Sequence, residues 1–288
     1  LEFRRVLFRS EVDEHHLLMV ASDRLSAFDV VMNETIPHKG RVLTALTDYW
    51  LTLLPDVPRA LISCDPTVIA TYVPGFLAAD EWHGRTMLVR RAEMLPLECI
   101  VRARLAGQAF DEYQVSGTVH GMSAPAGLSL TDPFPAPWFT PSTKADTGHD
   151  VNISRDAAVA LVGADTVTEI EAFCCELFER AAAAMSAVGL VLADTKFEVG
   201  FVDGRLVVCD EVMTPDSSRI WPLDEVVSGQ TPPSFDKQPF RDWLASQAWD
   251  RTPPPPPVPD EVVRLTSDRY VAAYERVTGR SLDAWFGS

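Results

Sequence analysis

Charged and hydroxyl residues crowd into four short stretches of this sequence. The first is Ser22-Asp23-Arg24-Leu25-Ser26-Ala27-Phe28-Asp29, and the second, residues 98–104, alternates Glu98, Arg102 and Arg104 with apolar residues. The third, residues 140–150, carries Ser142, Thr143, Lys144 and Gly148-His149-Asp150. The fourth runs Asp194-Thr195-Lys196-Phe197-Glu198, then Asp210-Glu211, then Thr214-Pro215-Asp216-Ser217-Ser218-Arg219. If residues 194–201 are a strand, Asp194, Lys196 and Glu198 share one face and Thr195, Phe197, Val199 and Phe201 the other. Acid, base and acid on one face suits a magnesium–nucleotide site, in which carboxylate oxygens hold a hard cation and lysine neutralises phosphate. Asp210 is the second carboxylate such a site needs. Each stretch also has a plain structural reading, as a cap, a solvated strand face, a polar loop or a sheet edge charged against aggregation. Other phosphate cradles are missing: there is no GxGxxG spacing and no Gly-Lys pair for a P-loop.

The elements that must position these residues follow from hydrophobic spacing. His16 to Ala21 is a short apolar run that reads as a buried strand. Val42, Leu43, Leu46, Tyr49, Trp50, Leu53 and Leu54 recur at threes and fours, a helix that Pro55 and Pro58 end. Thr86 to Arg91 and Glu98 to Leu105 read as strands around a break at Met94-Leu95-Pro96. Residues 115–155, rich in Gly, Pro, Ser and Thr with little periodicity, read as a long loop, functional or disordered. A helix is predicted over Thr168 to Val188, with Thr166 and Glu169 as a capping box and Gly189 at its end. Leu190 to Glu211 reads as a hairpin turning at Asp203-Gly204. Six prolines between residues 252 and 259 form a stiff strap, or an SH3-type ligand, before a last helix around Asp268 to Thr278.

Composition narrows the class. With 25 basic and 41 acidic side chains among 288 residues, the formal charge is −16, which repels phosphate backbones and speaks against nucleic-acid partners. No apolar run approaches the roughly 18–20 residues of a membrane span, so no membrane partner is expected. Five cysteines without a CxxC pair read as reduced thiols, hence a cytoplasmic protein. Leu1 to Ser10 holds three arginines and lacks an initiator Met; it reads as a non-native leader and is set aside from fold reasoning.

The motifs as a set resemble those of the SAICAR synthetase (phosphoribosylaminoimidazole-succinocarboxamide synthase) family. The resemblance is carried by Ser-Asp-Arg-x-Ser-Ala-Phe-Asp at 22–29, Pro-Ser-Thr-Lys-Ala at 141–145, Gly-His-Asp at 148–150 and Asp-Thr-Lys-Phe-Glu at 194–198. Asp-Glu-Val-x-Thr-Pro-Asp-Ser-Ser-Arg at 210–219 and Ser-Phe-Asp-Lys-Gln at 234–238 extend it, from about residue 12 to the C-terminus. It implies an α+β, two-lobed fold related to ATP-grasp, with an antiparallel β N-terminal lobe over residues 11–112 and an α/β C-terminal lobe over 113–288. It also implies an ATP- and Mg2+-dependent ligase that joins carboxyaminoimidazole ribonucleotide to L-aspartate, giving the succinocarboxamide, ADP and phosphate. By resemblance, Glu198 and Asp210 hold magnesium, Lys196 contacts ATP phosphates, and Met94 lies at the hinge that receives adenine. Arg102 and Arg219 match residues that grip the ribonucleotide phosphate. Lys196, Asp216 and Asp194 are the candidate catalytic residues. Ser142, Thr143 and Lys144 are candidates for the aspartate and carboxylate side, with Asp23 and Arg24 near the substrates.

Two features depart from the family pattern. A Gly-Lys-x-Arg turn normally covers the ATP phosphates, and residues 5–10 here stand in its place; Gly107-Gln108 replaces the usual Gly-Ser. Two other readings therefore stay open: an N-terminally truncated, inactive nucleotide-binding homologue, and a small-molecule kinase with the same Mg-ATP site. Parity adds an expectation. A two-residue Asp203-Gly204 loop pairs Val202 with Arg205 and Glu198 with Cys209, which sends Asp210 to the face opposite Glu198. A shared metal site thus predicts an odd loop, Val202-Asp203-Gly204, with Lys196 across from Asp210.

Overall fold

The computed structural model describes residues 7–27, 30–78, 80–144, 151–235 and 237–285. The chain opens with β1 (Leu7–Glu11), β2 (His16–Ala21), β3 (Arg24–Ala27), β4 (Val30–Thr35) and α1 (Lys39–Leu53). It continues through β5 (Leu61–Ser63), α2 (Pro66–Tyr72), β6 (Thr86–Arg90), β7 (Glu93–Met94) and β8 (Leu97–Arg104). Next come α3 (Gln108–Ser116), β9 (Thr118–Val119), β10 (Met122–Ser123), β11 (Pro133–Phe139), β12 (Ser142–Thr143), α4 (Arg155–Val162) and α5 (Ala164–Ala187). The last part is β13 (Leu190–Val202), β14 (Arg205–Cys209), β15 (Ser218–Pro222), α6 (Gln238–Ala245) and α7 (Asp260–Thr278).

Two antiparallel sheets organise the fold. The smaller has the order β1-β2-β6-β5. The larger centres on β8 and β13, with β11 and β12 along the free side of β8 and with β14, β15 and β7 on β13. One face of the larger sheet is apolar: Cys99, Val101, Phe197 and Val199 are buried with Ile170, Cys174, Leu177 and Phe178 of α5. Truncating a phenylalanine there costs about 3–5 kcal/mol. The same core takes in Leu43, Leu46 and Trp50 of α1 and Tyr270 and Tyr274 of α7. Early as it is in sequence, α1 therefore packs with the larger body. A second apolar cluster, including Met19, Met87, Val89, Val207 and Cys209, joins the smaller sheet to the β13–β14 hairpin. Backbone bonds reinforce that joint, since Val208 N–H donates to the Pro58 carbonyl and Ala60 N–H to the Val208 carbonyl, each at 2.9 Å.

Several expectations change. Residues 7–10, set aside as a leader, are four of the five residues of β1 and pair with β2. The supposed loop of residues 115–155 contains β11, paired to β8. Its pattern is hidden by Pro133, Pro135 and Pro137, which an edge strand tolerates because one side needs no N–H donors. The Thr166 box does not form: α5 starts at Ala164 after Gly163, with no side-chain cap. The last helix begins directly after Pro259, and Val258 is buried in the main core, so the proline run acts as a strap.

The odd hairpin register is also overturned. Val202 pairs with Arg205 and Glu198 with Cys209. Asp203 at φ 52° and Gly204 at φ 73° form a two-residue turn with both central residues left-handed, the geometry whose twist matches that of the flanking strands.

Candidate active site

The polar face of the larger sheet arranges its charges in rows. Asp194 on β13 lies across from Arg102 of β8 on one side and Arg219 of β15 on the other. Its Oδ2 accepts from Nη1 of each, both at 2.7 Å. One pleat along, Lys196 Nζ donates to Glu98 Oε1 at 2.6 Å, and Ser142 Oγ donates to Glu98 Oε2 at 3.4 Å. Another pleat along, Glu198 is ion-paired with Lys144 and lies 3.9 Å from Arg9. Alternation along strands in register thus interleaves acids and bases in two dimensions.

These rows set the protonation states. Burial opposes the charge on Lys196, but Glu98, with Glu211 and Glu198, outweighs it and lifts the pKa above the ordinary lysine value. Burial likewise opposes ionisation of Glu198, and Lys144, Arg9 and Lys196 together hold its pKa below the usual carboxylate value. Asp210 differs: burial and then the Glu198 charge push it up to about 6, with Arg9 and Lys144 opposing.

Glu198 and Asp210 do share a site despite the even register. β14 ends at Cys209, and Asp210 itself is left-handed at φ 57°. Strand parity no longer applies at that residue, and both carboxylates reach Arg9, Asp210 at 3.6 Å. Among the described residues no group of three or more His, Cys, Asp or Glu side chains is placed to hold a metal ion. Two carboxylates without nitrogen or sulfur donors fit Mg2+, which keeps several waters and takes phosphate oxygens; a cation there would also relieve their mutual repulsion.

A second charged nest surrounds Asp216. Lys39 Nζ and Lys237 Nζ each stand 2.9 Å from its Oδ2, and Tyr270 Oη donates to Oδ1. Burial would raise this carboxyl, but the two lysines and the tyrosine hold it far below the usual range. Lys39 has no exposed surface. It arrives from the first residue of α1, whose start is held by Asp23: Oδ1 accepts the Gly40 N–H at 2.9 Å and Oδ2 lies 3.1 Å from Arg85. Gly40 is obligatory here, because an added Cβ would lie 2.2 Å from the Ala21 carbonyl oxygen.

Three cavities adjoin these groups. One, between the smaller sheet and the hairpin, is apolar along Leu17, Met19, Val89 and Met94 and ends at Arg9, Glu198 and Asp210. A second, of about 290 Å3, is bounded by Gly107 and Phe110 at the start of α3, by Trp221 and by Arg219. The third is polar, lined by Asp194, Asp216, Ser217, Arg219, Lys237 and Arg241. Arg219 belongs to both of the latter.

Most of the sequence candidates converge, with differences in detail. Arg219 faces its cavities, whereas Arg102 lies behind it at 5% exposure. Lys144, Ser142 and Thr143 stand at the Glu198–Glu98 end, and Thr143 Oγ1 accepts the Val151 N–H at 3.1 Å. Asp23 supports α1, and Arg24 opens β3 against Thr35. Phe28, Asp29, the Gly148-His149-Asp150 motif and Asp236 lie outside the described residues. Sequence reasoning missed Arg9, Lys39, His120 and Tyr270, and it placed Glu98 in a charged stretch without giving it a role. Lys39 did carry a signal, since it shares the spacing of Val42, Leu43, Leu46 and Trp50 on the buried stripe of α1, where a charge demands a partner.

Comparison with known proteins identifies the family. Residues 4–256 match the family model described as SAICAR synthetase. The phosphoribosylaminoimidazole-succinocarboxamide synthase of Syntrophotalea carbinolica is 48% identical over 271 residues, 92% of this chain and 89% of the relative. That of Saccharopolyspora erythraea is 48% identical over 281 residues, covering 95% and 92%. Among solved structures, SAICAR-synthase from Saccharomyces cerevisiae complexed with SAICAR superposes with a TM-score of 0.87 at 38% identity, covering 96% of this chain and 93% of that one. With the family model matching residues 4–256 and relatives 48% identical over nearly the full length, the chain belongs to the SAICAR synthetase family.

Proposed function

We propose that this protein is the ATP-dependent carbon–nitrogen ligase of purine biosynthesis that joins carboxyaminoimidazole ribonucleotide to L-aspartate, releasing ADP and phosphate. The observation that carries the reading is the polar face of β13. There Glu198, Lys196 and the doubly held Asp194 occur on one strand, with Asp210 joining Glu198 from one residue past β14, beside cavities of three different linings. The apolar cavity ending at Glu198 and Asp210 suits a purine base at Met94 with its phosphates directed to Lys196. Glu198 and Asp210 would hold Mg2+, which when bound shields the charge of the transferring phosphate. The ribonucleotide phosphate fits the cavity of Arg219, whose guanidinium offers bidentate contact. Lys237 and Arg241, facing Asp194 and Asp216 in the polar cavity, suit a dicarboxylate bearing an amine.

The protein's work in this scheme is alignment and neutralisation. A carboxylate activated by phosphoryl transfer is attacked by the aspartate amine, and phosphate leaves. Lys196, kept charged by Glu98, faces the transferred group, and Lys144 stabilises the same end. Five free cysteines among the described residues agree with a reducing, cytoplasmic setting. No helix among the described residues is long and apolar enough to cross a membrane. The test is ADP release by the purified protein with ATP, Mg2+ and the carboxylated ribonucleotide, with and without aspartate. Release only with aspartate supports the ligase; equal release without it would indicate a kinase, and no release an inactive homologue.

A further inference from the structure

We propose that His120 is a positioning residue for ribonucleotide binding: its neutral Nε2 holds Arg102, which fixes Asp194, which in turn aims Arg219 into its cavity. The inference rests on the ligase reading for the identity of the nucleotide, and on the contacts His120 makes with Arg102 and Pro141 for the positioning role. His120 sits between β9 and β10 at 1% exposure. Its Nδ1 lies 2.8 Å from the Pro141 carbonyl oxygen, which only accepts, so Nδ1 carries the proton. Its Nε2 lies 3.3 Å from Arg102 Nη2, which only donates, so Nε2 presents a lone pair. Both contacts demand the same tautomer.

The charged groups facing the ring agree. Burial and then Arg102 on β8 disfavour a second positive charge and prevail over the Pro141 carbonyl, Glu112 on α3 and Asp194 on β13, which favour one, bringing His120 down to about 4. The backbone is fixed independently. The Glu112 carboxylate accepts the N–H groups of His120 at 2.9 Å and Gly121 at 2.8 Å and the Thr118 hydroxyl at 2.7 Å, holding His120 at φ 50°. Arg102 is thereby pinned in three directions: Nε to Thr140 Oγ1 at 3.0 Å, Nη1 to Asp194, and Nη2 to His120. Asp194 Oδ2 is shared between Arg102 and Arg219, so a turn of one guanidinium displaces the other. Arg219 has little latitude, because a Cβ on Gly107 would lie 2.1 Å from its Nη2.

Two substitutions separate this role from simple packing. In His120→Gln the amide oxygen can stand where Nε2 stood, keeping the acceptor for Arg102. In His120→Asn the amide reaches only the Pro141 side, while asparagine tolerates the left-handed backbone well. His120→Asn is expected to raise the KM for the ribonucleotide about tenfold, the cost of one buried donor left unpaired, with the KM for ATP unchanged. His120→Gln is expected to restore most of that loss. Equal ribonucleotide KM in His120→Asn and wild type, or equal rises in both KM values, would overturn the proposal. Nitrogen-15 NMR of histidine-labelled wild-type protein gives a check free of turnover: one ring should be protonated at Nδ1 alone from about pH 5.5 to 8. A buried ring protonated at Nε2, or titrating across that range, would overturn the assignment of His120 while leaving the ligase reading intact. A wild-type chain without aspartate-dependent turnover would overturn the ligase reading and with it the nucleotide named here.

Discussion

Asp210 meets Glu198 at one end of the cleft because the chain turns left-handed at Asp210, one residue past the end of β14. The two carboxylates repel, and burial adds to the cost. Asp210→Asn is therefore expected to abolish Mg2+-dependent ligase turnover while leaving the melting temperature of the metal-free protein unchanged or raised. Thermal melts with and without Mg2+ check this: the wild type should gain stability from the cation and the variant should not. A variant melting well below the wild type without metal would show that Asp210 is held by contacts stronger than the repulsion.

Lys196 and Glu98 form a second pair whose roles can be separated. Lys196→Ala removes the group proposed to face the transferred phosphate, and it takes the paired cation from the Glu98 carboxylate, which is 6% exposed. Turnover is expected to vanish and stability to fall by about 1–3 kcal/mol. Adding Glu98→Gln should recover much of the stability and none of the activity, which denaturant titration and an ADP-release assay would read separately.

Asp216 ties its nest to pH. Its pKa is depressed in the folded protein, so its stabilisation is complete above the ordinary carboxylate value and is lost as pH falls below that value toward the lower folded one. Asp216→Asn takes from the buried Lys39 and Lys237 the carboxylate paired directly with both, leaving Glu211 as the acid near them, and is expected to cost about 3–5 kcal/mol. The acid side of the stability profile should flatten in the variant. An unchanged profile would mean that Lys39 and Lys237 find other partners.

Gly107 is the narrowest point beside Arg219. Its φ of 57° and the absent Cβ both matter. Gly107→Ala is expected to lower stability by about 1 kcal/mol and to raise the ribonucleotide KM with little change for ATP. Equal effects on both would indicate a general distortion.

Legibility from sequence followed the physics of each element. Period-two alternation in residues 194–198 placed the acid–base–acid face correctly, because side-chain parity within one strand needs no knowledge of neighbours. It failed at Asp210, where a single left-handed residue outside the strand reverses the inference. Turn chemistry at Asp203-Gly204 was the better guide, and the local turn preference governs the register. β11 was hidden by prolines that only its edge position permits. Arg102 and Arg219 were legible as an alternating or motif-borne pair, but their common tether on Asp194 depends on the register of three strands from distant parts of the chain. His120 and Tyr270 gave no local sign at all, one in a polar loop and the other on an ordinary core-spaced helix face.

The central claim, that this chain activates a carboxylate with ATP and couples it to aspartate, has one direct measurement. Carboxyaminoimidazole ribonucleotide labelled with oxygen-18 in its carboxylate is incubated with ATP, Mg2+, aspartate and the purified protein, and the phosphate released is analysed by mass spectrometry. The expected result is one labelled oxygen in the phosphate, in step with formation of the succinocarboxamide and absent when aspartate is withheld. Unlabelled phosphate, or labelled phosphate released equally without aspartate, would contradict it.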